Sequence, residues 1–194
     1  MDMTAVTIFG TGNMANAIAG VLSSGGADVS HIAHEQTGSA EITGDIVVLA
    51  VPYPAVDGIL AQYGDQLAGR TVVDITNPLN FETFDSLVVP SDSSAAAGIQ
   101  ARLPESKVLK AFNTTFAGTL ASGTVGDLTT TVLIAGDDAE AKSTLVGLVE
   151  KAGLSAVDAG ALSRARELES IGFLQLTLAA GEKISWTGGF GLVR

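Results

Sequence analysis

The stretch from Ala5 to Ala19, AVTIFGTGNMANAIA, constrains this chain more than any other. A short apolar run holding Val6, Ile8 and Phe9 stops at Gly10-Thr11-Gly12-Asn13-Met14-Ala15, and a helical pattern follows without a break. Read as strand, turn and helix, the glycines and the alanine each have a physical task. Gly10 lets the chain turn sharply off the strand. Gly12 has no Cβ, so a pyrophosphate can come close to the backbone, and Ala15 lets the helix pack tightly on the strand. The first N–H groups of that helix have no partner inside it and sit at the positive end of its dipole, which suits a diphosphate. In a chain with 23 glycines such a pattern is weak by itself. Its position between a readable strand and a readable helix gives it weight against the competing reading, a tight turn with no ligand.

A length of 194 residues fits one domain with a proper core. Residues 1–160 read as a dinucleotide-binding unit; 161–194 read as a C-terminal helix and glycine-rich tail, packed on the same domain or in a dimer interface. Apolar residues make up 46% of the chain and charged ones 16%, which is globular composition. A net charge of −11 argues against nucleic acid or an anionic membrane as partner. The same field means that an anionic coenzyme must be held locally, by backbone N–H groups. Cysteine is absent, which removes disulfides, thiol nucleophiles and thiolate metal ligands. The opening MDMTAVTIFG has no basic region followed by a long apolar core, and no uninterrupted apolar run long enough to span a bilayer occurs, so the expected location is cytoplasmic.

Along the chain, strands alternate with helices. Asn13–Ser23 predicts a helix stopped by Gly25-Gly26, and Asp28–Ile32 a second strand. Only about a dozen small polar residues separate it from the next apolar run, too few for the usual crossover helix, so a loop or a single turn is expected there. Asp45–Val51 reads as a strand buried on both faces. Val56, Ile59, Leu60, Tyr63 and Leu67 then fall at helical spacing. Further strands are expected at 70–75, 107–112, 131–135 and 155–158, and helices at 94–103 and 138–152. A last helix, apolar nearly all round, runs from Ala165 to about Trp186, before the glycine-rich tail WTGGFGLVR. The fold class is therefore α/β, a doubly wound, mostly parallel sheet of the Rossmann type with an apolar C-terminal helix. Ligands bind such sheets beyond the strands' carboxyl ends. The segments expected there are 11–14, 33–36, 51–53, 76–77 and 113–114.

With these segments in place, the chain resembles the NADPH-dependent coenzyme F420 oxidoreductases, and also the cytosolic reductase domain of membrane metalloreductases. The resemblance is carried by GTGNM (10–14), AVPYPA (50–55), DITNPLN (74–80), KAFNT (110–114) and DAGALSRARELE (158–169). It implies an oxidoreductase moving hydride between NADP(H) and a flavin-like or F420-like ring. By the same resemblance Thr11, Gly12, Asn13 and Met14 hold the pyrophosphate, and Val51, Pro52 and Tyr53 flank the ribose and adenine. Asn77, Phe112 and Asn113 lie toward the nicotinamide. NADP-preferring members place a serine and basic residues just after the second strand; here those positions are Ala33, His34 and Glu35. Glu35 falls about 20 residues past Ala15, where an acid would bond a ribose hydroxyl and favour NAD. The resemblance favours NADP, with NAD as the alternative.

His31 and His34 are the chain's two histidines, both at the adenosine side, which leaves none to act as general acid at a nicotinamide. His31 reads as a strand residue with a satisfied ring nitrogen, Lys110 as a solvated strand lysine, and Tyr53 as either a site phenol or a packing residue. Arg164 and Arg166 read as solvated, beside a capping Ser163. No catalytic residue is assigned, and neither a metal cluster nor a Ser-His-Asp set can be composed. Hydride exchange between two rings needs alignment more than acid–base help, which Asn77, Asn113 and Thr114 can supply. The rival reading is a dinucleotide-binding sensor or scaffold without turnover. The apolar last helix predicts a homodimer.

Overall fold

The computed structural model describes residues 3–193; Met1 and Asp2 of the opening stretch and Arg194 of the glycine-rich tail lie outside the described residues. In chain order the elements are β1 (Ala5–Phe9), α1 (Asn13–Ser24), β2 (Asp28–Ile32), β3 (Ile46–Leu49), α2 (Tyr53–Leu67), β4 (Thr71–Asp74), α3 (Ala95–Arg102) and β5 (Lys107–Lys110). Then come α4 (Ala117–Ser122), β6 (Thr124–Val125), β7 (Leu128–Thr129), β8 (Thr131–Gly136), α5 (Ala139–Lys151), β9 (Ser155–Gly160) and α6 (Ala165–Ala180).

Strand composition dictates the layers. In β3 every residue is buried; Ile46 and Val48 join the core on one face of the sheet, Val47 and Leu49 the core on the other. Such strands need helices on both sides. Ile18 and Leu22 of α1, Leu120 of α4 and Leu145 of α5 fill the first core; Ile59 and Leu67 of α2, Ile99 of α3 and Ala165 of α6 fill the second. The sheet order is β2-β1-β3-β4-β5-β8-β9. The order reverses at β1, which has β2 on one side and β3 on the other, so the crevice beyond β1 and β3 is the place for a ligand.

The doubly wound, mostly parallel sheet is as the sequence predicts, with one exception: β8 runs antiparallel to β5. The chain between them stays at one end of the sheet, so α4 and the small β6–β7 hairpin suffice where a parallel pair would need a full crossover. Neither α4 nor the hairpin stands out in the sequence, because both are too short to show a period. The crossover from β2 to β3 is, as expected, a single turn, at His34–Gln36. Side chains near the end of α2 hold the rest of it. Tyr63 Oη accepts from Gly38 N–H (2.8 Å), Gln66 Oε1 accepts from Ile42 N–H (3.0 Å), and Arg70 donates to the carbonyls of Ile42 and Gly44.

The last helix ends at Ala180, well short of Trp186. Glu182 takes a left-handed conformation (φ 57°), Lys183 N–H donates to Leu178 O and Glu182 N–H to Ala179 O. These are the paired bonds of a Schellman stop, here with glutamate where glycine is usual. The helix is also less apolar inward than its composition suggests, since Glu169 and Gln175 are among its most buried residues, while Ile171 and Leu174 face out. Among the described residues no helix is long and apolar enough to cross a membrane.

Candidate functional site

The glycine turn after β1 is fixed from both sides. Gly10 N–H donates to Ile32 O at the end of β2, and Ala50 N–H donates to Phe9 O. Gly10 has φ 114°, and a Cβ on it would overlap the Ala50 carbonyl. It is glycine for the fold. Gly12 differs: its φ is ordinary, and a Cβ there would meet nothing within 4 Å. The space in front of Gly12 is open, as a cradle for a pyrophosphate must be. No side chain caps α1 and its first turn carries no acid, so its N-terminal N–H groups are left for an anion.

Two clefts meet at this turn. The first, of about 780 Å³, is lined by Gly10, Thr11 and Gly12, by Val51 and Pro52 after β3, and by His34, Thr37 and Gln62. Among the described residues, His34 is the one titratable side chain that lines it. Ala33 and Tyr53 do not line it; Ala33 N–H is turned to Gln36 Oε1 (3.0 Å), and Glu35 is exposed on the turn. His31 Nδ1 lies 2.8 Å from Gly10 O, an atom that can only accept, so this ring is a brace for the glycine turn. The satisfied ring nitrogen expected for it is present.

The second cleft, of about 510 Å³, starts from the next two residues of the chain, Asn13 and Met14. Ile75 and Asn77 after β4, and Phe112 and Asn113 after β5, form its floor. Phe112 is buried with φ 63°, a left-handed conformation that costs a bulky side chain about 1–3 kcal/mol and marks functional sites. That turn aims Asn113 at Asn77. Asn113 Nδ2 donates to Asn77 Oδ1 (2.9 Å) and to Leu168 O (2.8 Å), while Asn77 Nδ2 donates to Asn113 O (2.9 Å). All three partners are acceptors, which fixes how both amides are turned. Asn113 Oδ1 is left buried without a partner. An orphaned acceptor of that kind costs about 1–3 kcal/mol until a donor reaches it. The pair is closed over by α6 at Gly172, where a Cβ would come within 2.8 Å of Asn77 Cγ and 2.9 Å of Asn113 O.

Beneath this floor lies a charge cluster that the sequence reading missed. Lys110 is fully buried, not solvated. Its ammonium donates to Asp74 Oδ2 (2.8 Å) and to Thr76 O, and forms an ion pair with Glu169 Oε1 at 2.9 Å. Asp74 and Lys110 face each other across β4 and β5. Glu169 also accepts from Ala95 and Ala96 N–H at the start of α3. Burial pushes the Glu169 carboxyl above its ordinary value, against the pull of Lys110. Burial, with the negative charges of Asp57, Glu169 and Asp74, likewise raises the Tyr53 phenol above 10. Tyr53 thus keeps its proton at neutral pH and is no general base. Arg164 and Arg166 are half exposed beside Glu167, as expected, but Ser163 does not cap α6.

The second cleft also has walls with no counterpart in the sequence motifs. They come from Phe116, Gly118 and Leu176, and from Trp186 and Thr187 of the tail. Among the described residues no three His, Asp or Glu side chains gather as metal ligands.

The model of the family described as NADP oxidoreductase, coenzyme F420-dependent, matches residues 28–78. The chain is 33% identical over 149 residues to the F420-dependent NADP reductase of Methanocaldococcus jannaschii, a match covering 75% of this chain and 66% of that protein. The chain belongs to the F420-dependent NADP oxidoreductase family. This is a family of NADP-dependent oxidoreductases. A crystal structure from Arthrobacter sp. FB24, assigned as an F420-dependent NADP-reductase, superimposes with a TM-score of 0.82 at 25% identity over the whole of both chains. The chain is also similar to metalloreductase STEAP3 of Rattus norvegicus, 37% identical over 112 residues, but those span 58% of this chain and only 22% of the metalloreductase.

Proposed function

We propose that this chain performs its family's reaction, hydride transfer between NADP(H) and the deazaflavin ring of F420 or a related flavin-type acceptor. What carries the reading is the division of the glycine turn between two clefts: Gly10–Gly12 line one, Asn13 and Met14 the other. A sensor could bind through the adenosine half alone and would then have no need of the second, with its strained Phe112 and its unpartnered Asn113 acceptor. The residues fit the coenzyme: the open space before Gly12 admits a pyrophosphate, and Asn113 Oδ1 needs a donor such as a carboxamide N–H.

In this reading the backbone N–H groups of residues 12–14 hold the pyrophosphate, and Val51 and Pro52 pack on the adenosine. His34, Thr37 and Gln62 form the polar rim at the ribose end, and the preference is for NADP over NAD. Asn77 and Asn113, braced on α6, fix the orientation of the nicotinamide. Met14, Ile75 and Phe112 keep water from it. The bound nicotinamide supplies or accepts the hydride. The protein's part is orientation in a dry site, which accounts for a cleft without a positioned acid or base. The reaction uses an intracellular coenzyme, so a cytoplasmic location belongs to the same proposal. So does a homodimer formed on the outward face of α6, where Ile171 and Leu174 are exposed; a monomer by light scattering at micromolar concentration would count against it.

The direct test mixes protein, NADPH and F420 or FMN and follows the near-ultraviolet absorbance of the reduced nicotinamide. Oxidation dependent on acceptor is expected. Tight NADPH binding with no oxidation by any deazaflavin, flavin or quinone would leave the sensor reading in its place. Parallel titrations with NADPH and NADH decide the coenzyme.

A further inference from the structure

The glycine-rich tail is a built part of the molecule. Gly118, in α4, lies under it: a Cβ there would come 3.0 Å from Thr187 Cγ2 and 3.2 Å from Trp186 O. Farther on, Phe190 N–H donates to Gln175 Oε1 (3.3 Å), and Gln175 is itself 1% exposed. A Cβ on Gly191 would overlap the Leu128 side chain in the β6–β7 hairpin. Gly118 lets the backbones of α4 and the tail approach, and Gly191 leaves room for the Leu128 side chain. The result is to carry Trp186 to the rim of the second cleft. Phe116 sets its angle, with ring centroids 5.0 Å apart and planes tilted by 54°. Trp186 nevertheless remains 54% exposed.

We infer that Trp186 is the platform on which the acceptor's ring stacks, so that the tail, and not the dinucleotide-binding core, selects the acceptor by its planar ring. The inference rests on the hydride-transfer reading. Its supports are the position of an open aromatic face in the same cleft as Asn77 and Asn113, and the chemistry of the rest of that cleft. Among the described residues, none that lines it carries a charge. An indole, electron-rich and flat, suits an electron-poor ring system. With no cation lining the cleft and a chain charge of −11, a phosphate or carboxylate tail on the acceptor finds no partner there and stays in solvent. The ligand class is therefore an uncharged planar heteroaromatic ring, whatever it carries beyond the ring.

Trp186 is the chain's single tryptophan, so its fluorescence reports on this cleft alone. Riboflavin serves as the bare ring and FMN as the same ring with a phosphate. Titration of the wild-type protein, corrected against free N-acetyltryptophanamide, is expected to show saturable quenching by both, with affinities within about threefold of each other. In turnover with NADPH, Trp186→Leu should raise the acceptor KM about five- to tenfold, the loss of one stacked ring, while the Kd for NADPH holds within about twofold. Trp186→Phe should restore most of the loss. Absence of saturable quenching, a flavin KM unchanged in Trp186→Leu, or NADPH affinity falling as much as flavin affinity would each overturn the inference. Failure of the hydride-transfer reading looks different: the wild-type protein itself would bind NADPH but fail to oxidise it with any acceptor, and the quenching titration would still decide the role of Trp186.

Discussion

The two clefts that meet at the glycine turn are built in different ways. The first draws its lining from residues 9–62, chiefly from chain leaving β1 and β3 and from the first turns of α2. The second draws on residues 13–187, with pieces from α1, the ends of β4 and β5, α4, α6 and the tail. One is a local construction that a short motif can specify; the other exists only once the sheet, α6 and the tail have assembled. On the proposed reading, the first holds the adenosine half of the coenzyme. The second, pieced together from distant segments, is where relatives of one fold can differ in what they reduce.

Four substitutions and a pH dependence test that division. The largest effect is expected from Lys110→Met, which leaves Asp74 and Glu169 buried without their cation. Breaking a buried pair this way costs about 3–5 kcal/mol, read from the urea unfolding midpoint. Because Lys110 ties Thr76 O and α6 together, the folded fraction should also lose NADPH affinity while its affinity for 2′-AMP holds. A parallel loss of 2′-AMP would show that the clefts are not separate. Gly12→Val comes next. Its side chain enters open space, so the Tm should hold, but NADPH binding by calorimetry should weaken on the order of 100-fold, about 2.7 kcal/mol. Unchanged binding would refute the pyrophosphate cradle. Gly172→Ala pushes a methyl into the Asn77–Asn113 pair, at a cost of about 1–3 kcal/mol in stability. It should weaken NADPH and leave 2′-AMP alone. His34→Gln should alter only the first cleft, reducing the preference for NADPH over NADH by about two- to fivefold, the worth of one exposed contact. A ratio that does not move would exclude His34 as reader of a 2′-phosphate.

The smallest effect is one of pH. Glu169 holds its proton more tightly folded than unfolded, so its contribution favours the folded state below about pH 4.5, the ordinary glutamate value, and is lost as pH rises through the raised value. Comparing the wild-type protein with Glu169→Gln, the difference in Tm should shift against the wild type as pH rises. A difference that shifts the other way would mean that Lys110 outweighs burial.

The same contrast explains how much was legible in the sequence. The fingerprint, the strands with two apolar faces and the helixless crossover after β2 are written in neighbouring residues, and each is where the pattern places it. Lys110 was misread because a lysine in a strand is ordinarily solvated, and its partners lie far off in the chain, Asp74 on the adjacent strand and Glu169 on α6. The signal was there in a weak form: two opposite charges, each at the end of an apolar strand, in register with one another. Trp186 was expected at the end of the last helix, and its contact with Phe116 could not be read, since that contact depends on where α6 stops, and the stop is a glutamate in a glycine's conformation.

The helixless crossover has a consequence of its own. Residues 34–44 contribute one side chain, Ile42, to the buried cores, and they are moored by Tyr63, Gln66 and Arg70 at the far end of α2 and just beyond it. The wall of the first cleft to which His34 and Thr37 belong, proposed above to meet the ribose, is therefore a replaceable cassette. Its residues can be exchanged without repacking a helix. In a lineage moving between nicotinamide coenzymes, or in a laboratory retargeting one, this is the segment where change is cheapest and most directly felt.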